Sequence, residues 1–282
     1  CVVFLPTAFV SISRVSHSRS DVLARFEKLE FDDLGDEPQP PEVRGERTEK
    51  DEYYWAGLAA SNRRNGNYEN SLRFYSRALE REKSLIDSWV GQVQMLVMLG
   101  EYPQASMWGR KALEMFPSHG DLLAGRAQAE SRLGNHREAV SLSDGALAQR
   151  GETAYQWQVR GELMLVMKQK TDRHCFDKAQ VLSRDPIVPL ESGLIYLHHR
   201  AYVKAQQRVQ AAIEKDPELY HAWYLQGVCQ QNSGLAEAAT RSFERCRELC
   251  PNHHEAGMRL VELREGSWGI GRRLRRIIRR DR

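Results

Sequence analysis

The sequence lacks long apolar stretches and a cysteine pattern suited to disulfide bonds. No run of about 18 apolar residues occurs among its 282 residues, so no transmembrane helix is expected. Its five cysteines are an odd number and are scattered along the chain, which disfavours a disulfide framework and favours a reducing compartment. We therefore expect a cytoplasmic protein.

The sequence also lacks the local motifs of common enzymes. It contains no glycine-rich phosphate loop, no nucleophile elbow and no His-Glu-x-x-His zinc helix. A histidine pair, His198 and His199, follows an apolar helix and is interpreted as exposed or capping. The sequence therefore predicts a protein without enzymatic activity, cofactor or metal.

One group of thiols and imidazoles has a spacing suited to zinc. Cys246 and Cys250 lie one helical turn apart and precede His253 and His254. Cys246, however, occupies a position that alanine fills in other copies of the repeat described below, so packing already explains it. We predict no metal site at this group.

Charge is unevenly distributed along the chain, although the net charge is only +3. Residues 27–52 carry eleven acidic against four basic side chains, a net charge of −7, and include three prolines. Residues 264–282 carry eight arginines against two acidic residues, a net charge of +6. Such blocks are typical of solvated or contact-making ends. The small total charge does not favour a nucleic-acid partner.

Residues 1–50 are predicted to form an N-terminal arm followed by an acidic, proline-containing linker. The apolar run at residues 1–12 has three interpretations. It is the remainder of a longer apolar segment, a processed start with a lipid-bearing cysteine, or an arm packed on the rest of the chain. The residues alone leave these alternatives open.

A repeat of 34 residues runs through the middle of the chain. Trp55, Trp89 and Trp157 lie on one grid of this period, with Leu123 at the intervening point. Glycines follow eleven residues after the grid point in the first three units. Apolar residues recur at three- and four-residue steps on both sides of each glycine, as in amphipathic helices. Each unit is therefore predicted to form a helix, a short turn and a second helix.

These residues resemble the tetratricopeptide repeat. The pattern is clearest in Trp223, Gly227, Gly234, Ala239, Phe243 and Pro251. The resemblance covers about residues 53–251 as six units and implies an all-α, right-handed superhelical solenoid of stacked antiparallel helix pairs. A helix at about residues 253–265 is predicted to cap the array. We assign residues 51–265 to the solenoid and residues 266–282 to a basic amphipathic tail.

The register of the repeat slips between the fourth and fifth units. The later units fit the pattern only if the grid point expected at residue 191 lies at Pro189, so two residues are missing. The slip lies between Lys168 and Pro189. We predict a local irregularity of the superhelix there, with a ligand-shaped feature or a flexible joint as alternatives.

The resemblance also implies a binding surface, because in this family the first helix of each pair lines a concave groove. Carrying the groove positions over to this sequence gives Arg63, Gln94, Gln128, Glu162, Leu190, Leu194, Tyr224 and Gln231. The lysine–asparagine clamp with which some relatives bind chaperone carboxylates is absent from these positions. The implied function is a non-enzymatic scaffold or adaptor for a protein or peptide partner. The mixed, partly apolar lining favours an apolar or amphipathic helix as that partner.

The tail predicts an alternative binding mode. Three apolar residues at helical spacing, Leu274, Ile277 and Ile278, are surrounded by Arg272, Arg273, Arg275, Arg276, Arg279 and Arg280. Such a segment is suited to an anionic membrane surface and, less favourably, to nucleic-acid phosphates. In this alternative the repeats serve for presentation or self-association, and the protein is membrane-associated. The remaining interpretation is a solubilising tail, disordered or paired with the acidic segment.

Overall fold

The computed structural model describes residues 51–265, which form helices and turns. Residues 1–50 and 266–282 lie outside this range, so the N-terminal arm, the linker and the basic tail stay predictions. The helices are α1 (Glu52–Arg64), α2 (Tyr68–Arg81), α3 (Ile86–Leu99), α4 (Tyr102–Met115), α5 (Gly120–Leu133), α6 (His136–Leu147), α7 (Ala154–Val166), α8 (Asp172–Leu182), α9 (Ile187–His198), α10 (Tyr202–Lys215), α11 (Tyr220–Asn232) and α12 (Ala236–Leu249). Residues 254–265 are also helical.

The helices α1 to α12 pair into six units of two helices each. From α1 to α12 each helix packs against the next one in the chain, and the first helices of neighbouring units also contact one another. This arrangement confirms the predicted all-α helical repeat fold. Because a unit covers its apolar face only by stacking on its neighbours, the array forms one continuous core.

Small residues bring the two helices of a unit together. Ala239 and Cys246 on α12 are 0% exposed, which confirms that packing explains this cysteine. On α11, a Cβ atom added to Gly227 would lie 2.5 Å from the ring of Phe243. The aromatic ring therefore rests directly on the backbone of the facing helix, and any larger residue at position 227 would displace it.

Two tryptophans at the grid position of their units, Trp89 and Trp223, hold the turns that precede their helices. The indole Nε1 of Trp89 donates a hydrogen bond of 2.9 Å to the carbonyl oxygen of Lys83. At the corresponding place in unit 6, Nε1 of Trp223 donates to the carbonyl oxygen of Pro217 at 2.8 Å. Each ring thus packs at the base of its helix while its polar edge fixes the preceding loop.

The turn inside each unit requires a left-handed backbone conformation. Glycine provides it in units 1, 2, 3 and 6, with φ between 78° and 92° at Gly66, Gly100, Gly134 and Gly234. Units 4 and 5 instead place Lys168 (φ 56°) and Arg200 (φ 58°) in this region. Since a Cβ atom makes this conformation less favourable, these two turns are locally strained.

The predicted register slip coincides with a shortened helix. Helix α8 has 11 residues, whereas α10 and α12 have 14 each. At its start, the carboxylate of Asp172 accepts hydrogen bonds from Tyr196 Oη at 2.8 Å and from Lys204 Nζ at 2.7 Å. The irregular unit 4 is thereby tied to both helices of unit 5.

Candidate functional site

Unit 1 approaches units 5 and 6 directly, and we call this contact the seam. It joins residues that are more than 120 positions apart in the sequence. Its members are Arg63, Arg64, Gly66 and Tyr68 from unit 1, and Asp185, Glu191 and His221 from the opposite side. The inner surface of the superhelix is therefore bridged by the chain itself.

An ion pair between Arg63 and Glu191 lies at the centre of the seam. Arg63 Nη2 lies 2.6 Å from Glu191 Oε1, and Arg63 Nε donates to the same oxygen at 2.7 Å. The two side chains are 20% and 9% exposed. Burial alone would lower the pKa of Arg63, but the nearby Glu191 carboxylate outweighs it and raises this pKa. Arg63 therefore stays charged and paired.

Two further contacts flank this ion pair. Arg64 Nη2 lies 3.0 Å from both carboxylate oxygens of Asp185, but both side chains are more than one third exposed. Tyr68 Oη and His221 Nε2 are 3.2 Å apart, and a Cβ atom at Gly66 would lie 2.3 Å from the same imidazole. Burial, with a smaller contribution from His253, lowers the pKa of His221 to about 3, so this ring is neutral at pH 7.

A buried polar network lies along the first helices of units 3 and 4, around the carboxylate of Glu162. Gln128 Nε2 donates to Glu162 Oε2 at 2.7 Å, and Arg132 Nε donates to Oε1 at 2.8 Å. His199 Nε2 lies 3.0 Å from Oε1, and Tyr155 Oη donates to Gln128 Oε1 at 3.0 Å. Successive units are therefore linked through their inner faces.

Glu162 is ionised although it is buried. Burial would raise the pKa of this carboxyl, but the charge of Arg132 and hydrogen bonds from His199 and Arg132 outweigh burial and hold the pKa well below its usual range. Its side chain is 1% exposed. The Arg132–Glu162 pair is thus a fixed charge pair rather than a reactive acid.

The eight predicted groove residues divide into two sets by exposure. Gln94, Gln128, Glu162 and Leu190 are between 1% and 3% exposed, and Leu190 belongs to the hydrophobic core. Arg63, Leu194, Tyr224 and Gln231 are partly exposed. Tyr224 packs on the rings of Phe243 and His253. Partner binding by any of the eight residues stays a prediction.

Three polar atoms at or near these groove positions are buried without a hydrogen-bond partner among the described residues. They are Gln94 Oε1, Ser131 Oγ and Gln231 Oε1. A buried acceptor without a donor costs about 1–3 kcal/mol. Because each of these atoms has less than 1 Å² of accessible surface, a donor from another molecule would reach it only if neighbouring side chains moved.

An open cleft of about 380 Å³ lies beside the Glu162 network, where the turns of units 3, 4 and 5 meet. It is lined by Ser131, Arg132, His136, Leu165, Val166, Lys168, His198 and His199. Partial desolvation by its neighbours in the cleft, together with the positive charge of Arg132, lowers the pKa of His198. His198 is exposed and His199 is the C-cap of α9, as the sequence indicated, and His199 Nε2 also lies 3.0 Å from Oε1 of the buried Glu162. Sequence reasoning did not connect these two residues with Glu162.

The predicted arginine tail, Arg272 to Arg280, lies outside the described residues, and so does the acidic linker that precedes the repeats. Within residues 51–265, no helix combines the length and the apolar character that a membrane crossing requires. The interpretations of the tail, as a segment that binds an anionic membrane surface, binds nucleic acid or solubilises the protein, stay predictions.

No protein-family model and no curated protein matches the chain. Solved structures do match it. The Cut9–Hcn1 hetero-tetramer of APC/C is 14% identical, with 77% of this chain and 44% of that chain covered and a TM-score of 0.47. A tetratricopeptide repeat protein from Parabacteroides merdae is 17% identical, with 77% and 86% covered and a TM-score of 0.47.

A third match is YrrB, a tetratricopeptide-repeat protein with an unusual peptide-binding site, at 20% identity, 68% and 97% coverage and a TM-score of 0.38. The chain spans less than half of the Cut9–Hcn1 chain that it matches. The stronger observations are internal to this chain. Its 34-residue period, its helix pairs and its small-residue contacts show an all-α helical repeat fold.

Proposed function

We propose that the repeat array is a non-enzymatic scaffold that holds a partner polypeptide against the first helices of its units. The observation that carries this proposal is that Leu194 and Tyr224, on the first helices of consecutive units, are partly exposed and so can contact a bound segment.

The accessible part of the surface supports the same proposal. Leu194 is partly buried at the edge of the core, and Tyr224 presents a ring and a hydroxyl on the following unit. An apolar residue and an aromatic residue on consecutive units suit the anchor side chains of a bound segment. Because Leu190 is buried in the hydrophobic core, the apolar part of the predicted groove is smaller than the sequence implied.

The seam determines how a partner reaches this surface. A segment that contacts Gln94 or Gln128 has to enter a surface that is bridged by the Arg63–Glu191 pair. Arg64 and Asp185 are exposed, so their contribution to closing the seam is small. The partner's binding energy must therefore offset the loss of the central ion pair.

The test is affinity purification of the full chain with quantitative mass spectrometry. We compare wild type with Leu194→Arg and Gln231→Ala, which alter the inner surface, and with Val203→Arg, which places the same charge on an outer helix where the side chain is 67% exposed. Proteins lost with both inner variants but kept with Val203→Arg, and then shown to bind directly when purified, support the proposal. If every bound protein is retained by both inner variants while the variants remain folded, the inner surface is not the binding surface.

A further inference from the structure

Three potential metal ligands converge at the inner edge of units 4 and 5. One ligand atom from each of Glu162, His198 and His199 lies within 4.8 Å of the other two. Glu162 projects from α7, and the histidines end α9. These helices are the first helices of neighbouring units and pack on each other. The convergence therefore follows from the stacking of the repeat.

Two consecutive histidines face one point because the helix ends between them. His198 is the last residue of α9, His199 is its C-cap with φ −88° and ψ 12°, and Arg200 takes a left-handed conformation. Their ring centroids are 4.9 Å apart and their planes are nearly perpendicular. Within a regular helix, consecutive side chains point about 100° apart, so this departure from the helix is what allows both rings to approach Glu162.

The surroundings leave room for a bound ion and its remaining ligands. Both histidines line the cleft of about 380 Å³, which is open to solvent. Ser131, in the same cleft, has a buried Oγ without a hydrogen-bond partner among the described residues. The C-terminal ends of α5, α7 and α9 also meet at the cleft, and the partial negative charge of helix C-termini favours a cation.

We propose that Glu162, His198 and His199 form a three-ligand site for a divalent transition-metal ion. Two imidazole nitrogens and one carboxylate oxygen are a ligand set suited to Zn²⁺, Co²⁺ or Ni²⁺, with the fourth position facing the cleft. The bound ion joins α7 to α9. It therefore stiffens the array at the unit whose second helix is shortened and whose turn is strained at Lys168.

Arg132 and Lys168 oppose the ion. Arg132 Nε lies 2.8 Å from Glu162 Oε1, so arginine and metal compete for one carboxylate, and Lys168 adds a second positive charge to the cleft. The Arg132 guanidinium also lies 5.7 Å from the ring centre of Tyr102, a contact it keeps when the carboxylate is shared. Competition makes this site weaker than a closed four-ligand zinc site, and removal of Arg132 tightens it.

The experiment is calorimetric titration of the chelator-treated full chain with Zn²⁺, together with the visible absorption of bound Co²⁺. We expect one ion to bind wild type, at least a tenfold loss of affinity in His198→Ala and in His199→Ala, and tighter binding in Arg132→Gln. The controls are His174→Ala, an exposed histidine on α8, and the double variant Cys250→Ser with His254→Ala, which removes two of the four ligands of the other thiol–imidazole group. Both controls keep the wild-type affinity.

Thermal unfolding of each variant separates loss of ligand from loss of fold. A variant that melts with wild-type cooperativity but no longer binds Zn²⁺ supports the site. Absence of Zn²⁺ binding by wild type, or binding that survives in both His198→Ala and His199→Ala, overturns it. Equal affinities of wild type and Arg132→Gln also contradict it, because the proposed competition would then not exist. His199→Gln, which keeps a polar contact to Glu162 but is a poor ligand, has to behave like His199→Ala.

Discussion

The interface within a helix pair and the seam are formed by different kinds of residue. A helix pair is held by apolar contacts between residues close in the sequence, as between Gly227 and Phe243. The seam is held by charged and polar side chains, and its central pair, Arg63 and Glu191, is separated by 128 positions. The repeat pattern therefore determines how each unit stacks on the next, whereas individual side chains determine how the two ends of the array meet.

The largest effect is expected within a helix pair. Phe243 is 0% exposed and rests on the backbone of Gly227, so Phe243→Ala removes a fully buried aromatic ring and leaves a cavity. We expect a loss of about 4 kcal/mol in the free energy of unfolding. Chemical denaturation measures it, with the exposed Val203→Ala as the control. A loss below about 1 kcal/mol would mean that the pair is not held as described.

At the seam, the substitution of its central arginine is expected to be less costly. Arg63→Ala leaves Glu191 buried and unpaired, which we expect to destabilise the array by about 2 kcal/mol, less than for a fully buried pair. The freed end should also open the superhelix, which small-angle X-ray scattering detects as a larger radius of gyration. A variant that is destabilised but equally compact would show that the ion pair does not hold the ends together.

The pH dependence of stability tests the buried imidazole of the seam. An unfolded chain binds a proton at His221 near pH 6.5, whereas the folded chain does so only near pH 3. Unfolding therefore takes up a proton between these values, and stability falls as the pH is lowered through this range, by about 1 kcal/mol at pH 5.5. The melting temperature of His221→Gln should depend less steeply on pH than that of wild type. Equal slopes would remove His221 as the cause.

The smallest effect is expected for the outer ion pair of the seam. Arg64 and Asp185 are 38% and 39% exposed, so a double-mutant cycle with Arg64→Ala and Asp185→Ala should give a coupling energy of about 0.5 kcal/mol, which decreases with added salt. A coupling energy as large as that of the Arg63–Glu191 pair would show that the strength of a seam contact does not depend on how exposed its side chains are.

The sequence predicted the units because each helix pair requires particular residue types at a fixed spacing in the sequence. The glycines of the turns, the small residues at positions 239 and 246 and the grid tryptophans all recur at the spacing of one unit. The seam has no such repeating sequence pattern. Its geometry depends on the rotation of each unit relative to the next, summed from unit 1 to unit 5. No residue near Arg63 in the sequence indicates that Arg63 pairs with Glu191.

The candidate site shows the same limit. The repeat pattern predicted Gln128 and Glu162 as groove residues on the first helices of units 3 and 4, but it could not show that both side chains are buried. The histidines at positions 198 and 199 were visible as a pair, yet their relation to Glu162 depends on where α9 ends. A signal was available in principle, because the sequence places Glu162 and this pair on the first helices of consecutive units.

The seam also changes how the array is expected to unfold. A solenoid with contacts only between neighbours frays from its ends, since its terminal units are each covered on one side. Here unit 1 is held by units 5 and 6, so its release requires breaking contacts with the far end of the array. Hydrogen exchange in α1 should therefore be slowed to the rate of the central units, and the array should melt in one cooperative step rather than unit by unit.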